Sequence, residues 1–206
     1  SYLDKVKRIC DGRIEHFMQY VSLDAWGPQA EYIRNGLDFN LLWDRVNQFL
    51  TEIPNYSSLT FIITMNNLSV TTLENLFAGI LGLRKIYSKT YQRVWFDTPV
   101  LRDPAWQSLQ ILPESYAAKL EACADWMAQQ VTTDLVGFRD YEVQRLRRDI
   151  AWMREGQNLA PEYVNSQRAD FYRFFNEYDK RHQKEFLKVF PQMKEFWDEC
   201  RYHAQR

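Results

Sequence analysis

Apolar and polar positions recur along this chain with two periods, and the change from one to the other divides it in two. Leu3, Val6 and Ile9 lie at helical spacing, so the segment Tyr2 to Ile14 reads as a helix with Asp11-Gly12 as its stop. His16 to Asp24 reads as a buried strand, and Gln29 to Arg34 as a short helical turn after Gly27-Pro28. Asp38 is placed to cap a helix from Phe39 to Thr51 with Leu42, Val46, Phe49 and Leu50 as its apolar stripe, ended by Pro54. Ser58 to Met65 is rich in β-branched residues and predicts a second strand. A helix over Thr72 to Tyr87 and a third strand over Gln92 to Asp97 follow.

Helices alternating with strands imply parallel strands joined by crossovers. Three strands bury their faces poorly alone, so a larger sheet or barrel is expected. From Pro113 onward the strand pattern stops. Glu114 to Gln130, Tyr141 to Glu155, Gln167 to Lys184 and Pro191 to Tyr202 all carry helical periodicity. Phe171, Phe174, Phe175 and Tyr178 recur at spacings of three and four, as a core stripe does, or less often a docking face. The expected organisation is an α/β unit over 1–112 followed by an all-helical extension over 113–206.

Composition narrows the function classes. The chain has 206 residues and a net charge of −1, which offers no electrostatic attraction for nucleic acid or an anionic membrane. No apolar run is as long as a membrane span, and no signal peptide is visible, so the cytoplasm is the expected compartment. Three scattered cysteines, Cys10, Cys123 and Cys200, form neither a metal clip nor a disulfide framework. The three His have no metal-ligand spacing, and neither a phosphate loop nor a nucleophile elbow is present.

Ligands of parallel sheets bind at the carboxyl ends of the strands. Those ends read Ser22-Leu-Asp24, Thr64-Met-Asn66-Asn67 and Asp97-Thr98-Pro99, which puts polar side chains at one edge. Ser22 and Asp24 are two apart, so both are expected on one side of the strand, where a hydroxyl and a carboxylate can hold a vicinal diol. Arg34 offers a planar fork for a ligand carboxylate, or else a structural ion pair with Glu31 or Asp38.

At these ends the chain resembles a known family. Val21-Ser-Leu-Asp-Ala-Trp-Gly-Pro-Gln-Ala-Glu-Tyr-Ile-Arg-Asn-Gly-Leu-Asp-Phe39 is similar to the fourth strand and following loop of twitch-domain-containing radical S-adenosylmethionine (SAM) proteins. The likeness continues through Thr64-Met-Asn-Asn-Leu-Ser-Val70 and through Arg93-Val-Trp-Phe-Asp-Thr-Pro-Val-Leu-Arg-Asp-Pro-Ala-Trp-Gln107. Asp149-Ile-Ala-Trp-Met153 and Asp170-Phe-Tyr-Arg-Phe-Phe175 look like the same group's C-terminal helices.

The resemblance implies the C-terminal half of a partial (β/α)6 barrel that binds SAM and a 4Fe-4S iron–sulfur cluster. Such proteins generate a 5′-deoxyadenosyl radical that takes hydrogen from a small-molecule or peptide substrate. It places Ser22, Asp24 and Arg34 against the ribose and amino-acid parts of SAM, with Asn67 and Leu101 bordering it. The CxxxCxxC loop that ligates the cluster has no counterpart here. The chain also opens at Ser1 directly into a helical pattern. Both features lead to the expectation of a fragment, inactive alone, whose partner is the missing N-terminal half of the same protein. The alternative is a non-catalytic helical interaction or scaffold protein that has lost the cluster.

Overall fold

The computed structural model describes every residue except 12, 13, 15, 54 and 55. Helix α1 spans Tyr2–Cys10, capped by the Ser1 side chain, and it buries Leu3, Val6 and Cys10. The helix is thus shorter than the pattern to Ile14 suggested, and Ile9 faces solvent while Cys10 takes the third core position. The Gly12 stop and the Pro54 terminator lie outside the described residues.

Three strands, β1 (Met18–Ser22), β2 (Ser58–Ile62) and β3 (Val94–Asp97), form a parallel sheet in the order β1-β2-β3. Each is shorter than its apolar run, because pairing ends where the chain turns to feed the next helix. Some pairing continues past β2. Met65 N donates to Pro99 O and Leu101 N donates to Met65 O, both at 2.8 Å.

The connections are helical. Gly27, at φ +62°, turns the chain into α2 (Pro28–Ile33), with Pro28 at its first position. Asp38 caps α3 (Phe39–Glu52) by accepting from Leu41 N at 2.9 Å, as its position in the sequence predicts. Helix α4 (Leu73–Tyr87) leads to β3. Trp43 of α3 packs on Phe61 of β2, and Phe77 of α4 packs on Phe96 of β3, at centroid separations of 5.9 and 4.9 Å. Phe61 and Phe96 are register partners, so both helices cover the same face of the sheet. On the opposite face Tyr20 is 59% exposed, and Ser22 and Asp97 are exposed.

The remainder is helical. Helices α5 (Glu114–Gln129) and α6 (Asp140–Glu155) form a hairpin, and α7 (Pro161–His182), the short α8 (Phe186–Val189) and α9 (Lys194–Ala204) complete the chain. Helix α7 starts six residues before the expected Gln167, with Pro161 in its first turn. Pro191–Met193 is a separate 3-10 turn that leads into α9, and does not begin a single helix to Tyr202. Of the aromatic stripe, Phe171 and Phe175 are buried, while Phe174 is exposed.

The core runs without a break from the sheet into the helical part. Phe138, just before α6, touches Phe96 and Phe77. Beside it the Arg84 side chain, fully buried, forms a two-pronged pair with Glu142 at 3.0 and 2.7 Å and donates to the carbonyls of Val94 and Gly137. Tyr32 of α2 holds the C-terminal helices, its ring tilted against Phe175 and Tyr178 and edge-to-face with Phe186 and Phe190. Its hydroxyl donates to Asp179 Oδ1 at 2.7 Å. Among the described residues no helix is long and apolar enough to cross a membrane.

Candidate functional site at the carboxyl edge of the sheet

Because the three strands are parallel and adjacent, Ser22, Thr64–Asn67 and Asp97–Thr98 emerge at one edge, as the sequence pattern requires. The side chains there differ in what they leave available. Ser22 ends β1 exposed on the face away from α3 and α4. Asp24 lies beyond the strand, where strict alternation no longer applies, and both it and Leu23 are buried. The two polar groups expected side by side therefore differ in environment.

Asp24 is engaged by the protein itself. Its Oδ1 accepts from Thr64 N at 2.9 Å, which ties the ends of β1 and β2 together. Its Oδ2 pairs with Arg34 at 2.9 Å. Burial raises the Asp24 pKa, and the Arg34 charge and the Thr64 amide oppose that rise. Neither local partner considered for Arg34 is used. Glu31 instead accepts from Phe39 N, and Asp38 is occupied as the α3 cap. The Arg34 side chain remains 38% exposed, yet its Nε is buried without an acceptor. The edge therefore presents a partly exposed guanidinium steadied by Asp24, with its Nε turned away from solvent.

At the end of β2 the Asn66 side chain caps the Leu68 and Ser69 amides. Asn67 is fully buried, and its Nδ2 donates to Trp106 O at 2.8 Å while its Oδ1 has no hydrogen-bond partner. Asn67 lines a cavity of about 130 Å3 roofed by α7. That volume is well below the roughly 300–1,000 Å3 of ordinary ligand pockets. A nucleoside would not fit inside it. Leu101, half-buried, contributes its backbone to the Met65 pairing described above.

At the end of β3, Thr98 donates to Asp149 of α6 at 3.2 Å, and Arg145 pairs with Asp97. Asp149 is pushed up to about 6, chiefly by burial and with a small contribution from the Asp97 charge, against the Thr98 hydrogen bond and the charges of Arg145 and Arg148. Nothing local marks Asp149 as part of this edge, since 51 residues separate it from Thr98.

The cysteines do not suit a cluster. Cys10, Cys123 and Cys200 are buried on α1, α5 and α9, and each thiol is free. Burial pushes Cys123 up to about 12 and raises Cys200 as well. No group of His, Cys, Asp or Glu that could hold a metal occurs among the described residues. Compared with known proteins, the chain matches no family model, no curated protein and no solved structure.

Proposed function

We propose that this chain is the C-terminal part of a radical SAM protein of the twitch-domain group, and that the carboxyl edge of its sheet forms part of the SAM pocket. The observation that supports this most is the one-sided sheet. Helices α3 and α4 cover one face, and on the other Tyr20, Ser22 and Asp97 are exposed, while Ser58 and Thr60 of the central strand are buried. Sheets are built this way when further strands close them into a barrel around a ligand at the carboxyl ends. In this reading the missing N-terminal half pairs along the free edge of β1 and brings the CxxxCxxC loop.

Within that reading the residues take distinct parts. Arg34, whose guanidinium is 38% exposed beside Asp24, would bind the ligand carboxylate. Asp24 is a positioning residue, since its oxygens already receive the Thr64 amide and the Arg34 guanidinium. Ser22 would offer its exposed hydroxyl to a ribose oxygen. The ligand would lie on the open face, outside the small Asn67 cavity, with Asn67 and Leu101 behind it. SAM with a reduced cluster supplies hydrogen-abstraction chemistry when both are bound. The three cysteines of this chain lie apart on α1, α5 and α9, and the cluster's ligands would come from the N-terminal half.

The test is titration of SAM into the full-length protein, which in this reading also carries the CxxxCxxC half, while the Arg34 side-chain resonances are followed by NMR. A saturable shift is expected, and Asp24→Ala weakens it by about 1–3 kcal/mol, the value of a hydrogen bond to a charged group. Unchanged affinity in Asp24→Ala rejects its positioning role. No saturable response from the wild type favours a second reading, a non-catalytic scaffold. One observation supports that reading, namely that Asp24 with Arg34 and Thr98 with Asp149 already satisfy each other.

A further inference from the structure

A pocket of about 410 Å3 lies between α1 and α3, on the helix-covered face of the sheet. Its floor is Gln19 and Val21 of β1 with Leu59 of β2. Gln19 and Val21 alternate along β1 with the exposed Tyr20 and Ser22, so the pocket is on the opposite side of the sheet from those two. The Lys7–Glu52 ion pair joins the two helices at one end, and the pocket lies toward the other, between Ser1–Leu3 and Leu42–Phe49. Leu42, Arg45, Val46 and Phe49 are spaced i, i+3, i+4 and i+7, which puts all four on one face of α3. The volume falls within the roughly 300–1,000 Å3 of ordinary ligand pockets.

The lining is chiefly apolar, and most of its polar groups are already occupied. The Ser1 amine and hydroxyl both bind Asp4 Oδ2 at 2.7 Å. The Tyr2 hydroxyl donates to Gln19 Oε1, and Gln19 Nε2 donates to Tyr20 O at 2.7 Å. Arg45 differs. Its Nη1 donates to Gln48 Oε1 at 2.6 Å, and the guanidinium has no carboxylate partner among the described residues. The edge of the fork formed by Nε and Nη2 is left open, and that edge matches the two oxygens of a carboxylate. Because Arg45 is exposed, a ligand reaches this edge without displacing any other side chain.

We infer that this pocket binds an apolar monocarboxylate, with the hydrocarbon over Val21, Leu59 and Phe49 and the carboxylate at the mouth on Arg45. At about 30 Å3 for a water-sized group, the pocket holds roughly a dozen heavy atoms, enough for a medium-chain fatty acid. The inference is independent of the SAM reading, since the two ligands lie on opposite sides of the sheet.

The experiment is calorimetric titration of the full-length protein with sodium octanoate, with 1-octanol and octylammonium chloride as the neutral and cationic matches. Octanoate is expected to bind saturably and more tightly than octylammonium. Arg45→Met keeps the stem and removes the charge, so the octanoate Kd should rise about five-fold, the upper end for a solvent-exposed ion pair, while that of octanol stays the same. Leu42→Trp, which fills the pocket from the half-buried wall of α3, should abolish binding of both. The inference is overturned if octanoate gives no saturable heat, or if octylammonium binds as tightly. It is also overturned if Arg45→Met leaves octanoate unchanged, or if octanoate binds Leu42→Trp as it binds the wild type. SAM titrated in a separate sample reports on the other proposal alone, since it is read at Arg34.

Discussion

The Arg84–Glu142 pair offers a quantitative test of the packing between sheet and helices. Both side chains are fully buried, and Arg84 also donates to Val94 O at 2.9 Å and Gly137 O at 3.1 Å. Glu142 in turn accepts from Arg139 N at 2.9 Å at the start of α6. Arg84→Met keeps an apolar stem between Phe96 and Phe138, whose rings flank the guanidinium, but strands the Glu142 carboxylate. Removing one member of a buried pair costs about 3–5 kcal/mol, mostly because the other charge stays buried without a partner. Against a total stability of about 5–15 kcal/mol this is a large fraction. At about 2–4 °C per kcal/mol for a chain of this size, the melting temperature should fall by roughly 10 °C.

The mechanism is isolated by a second variant. Adding Glu142→Gln to Arg84→Met removes the stranded charge and keeps an acceptor for Arg139 N, so about 2 kcal/mol should return. Urea unfolding followed by far-ultraviolet circular dichroism measures both, with the slope unchanged if the transition stays two-state. A loss below about 1 kcal/mol in Arg84→Met, or a double variant no more stable than the single one, would refute the reasoning.

Two glycines of α4 should respond in opposite directions to alanine. A Cβ at Gly79 would come within 2.3 Å of the Trp26 ring, so overpacking of about 1–3 kcal/mol outweighs the helix-propensity gain of about 1 kcal/mol. A Cβ at Gly82 meets nothing within 4 Å, and Gly82→Ala should stabilise by about 1 kcal/mol in the same urea assay. Asp149 gives a pH signature. Its folded pKa is raised to about 6 from an ordinary value of 3.8, so its contribution is fully favourable below about 4 and is lost as pH rises through 6. Asp149→Asn should therefore match the wild type near pH 4 and exceed it near pH 7.5 by about 1 kcal/mol, after allowance for its partial exposure to solvent. Parallel stability curves from pH 4 to 7.5 would contradict the assignment.

What could be read in the sequence was local or periodic. The strand–helix alternation and the Asp38 cap each depend on residues within a few positions of one another, and the shared polar edge follows from that alternation by the parallel-strand rule. The start of α7 was missed because Pro161 to Ser166 carries little apolar periodicity, and its packing comes from elsewhere. The partner of Arg34 was misjudged for a similar reason. Glu31 and Asp38 are close in sequence, but the end of β1 returns Asp24 to the turn after α2. The Arg84–Glu142 and Thr98–Asp149 contacts, 58 and 51 residues apart, leave no local trace. The orphaned Asn67 oxygen was likewise invisible, because an asparagine after a strand ordinarily reads as a turn residue.

Tyr32 also has a consequence for the order of synthesis. Its ring partners Phe175, Phe186 and Phe190 and its hydroxyl acceptor Asp179 lie near the far end of the chain, and Asp179 is 147 residues downstream. At about 5–20 residues per second, a ribosome needs roughly 7–30 s to deliver them after Tyr32 has been made. Until then α2 has an aromatic face with nothing to bury it, and the strand edge above it has no roof. The nascent chain is thus committed to waiting, and chaperones that shield apolar surface have their window during that interval.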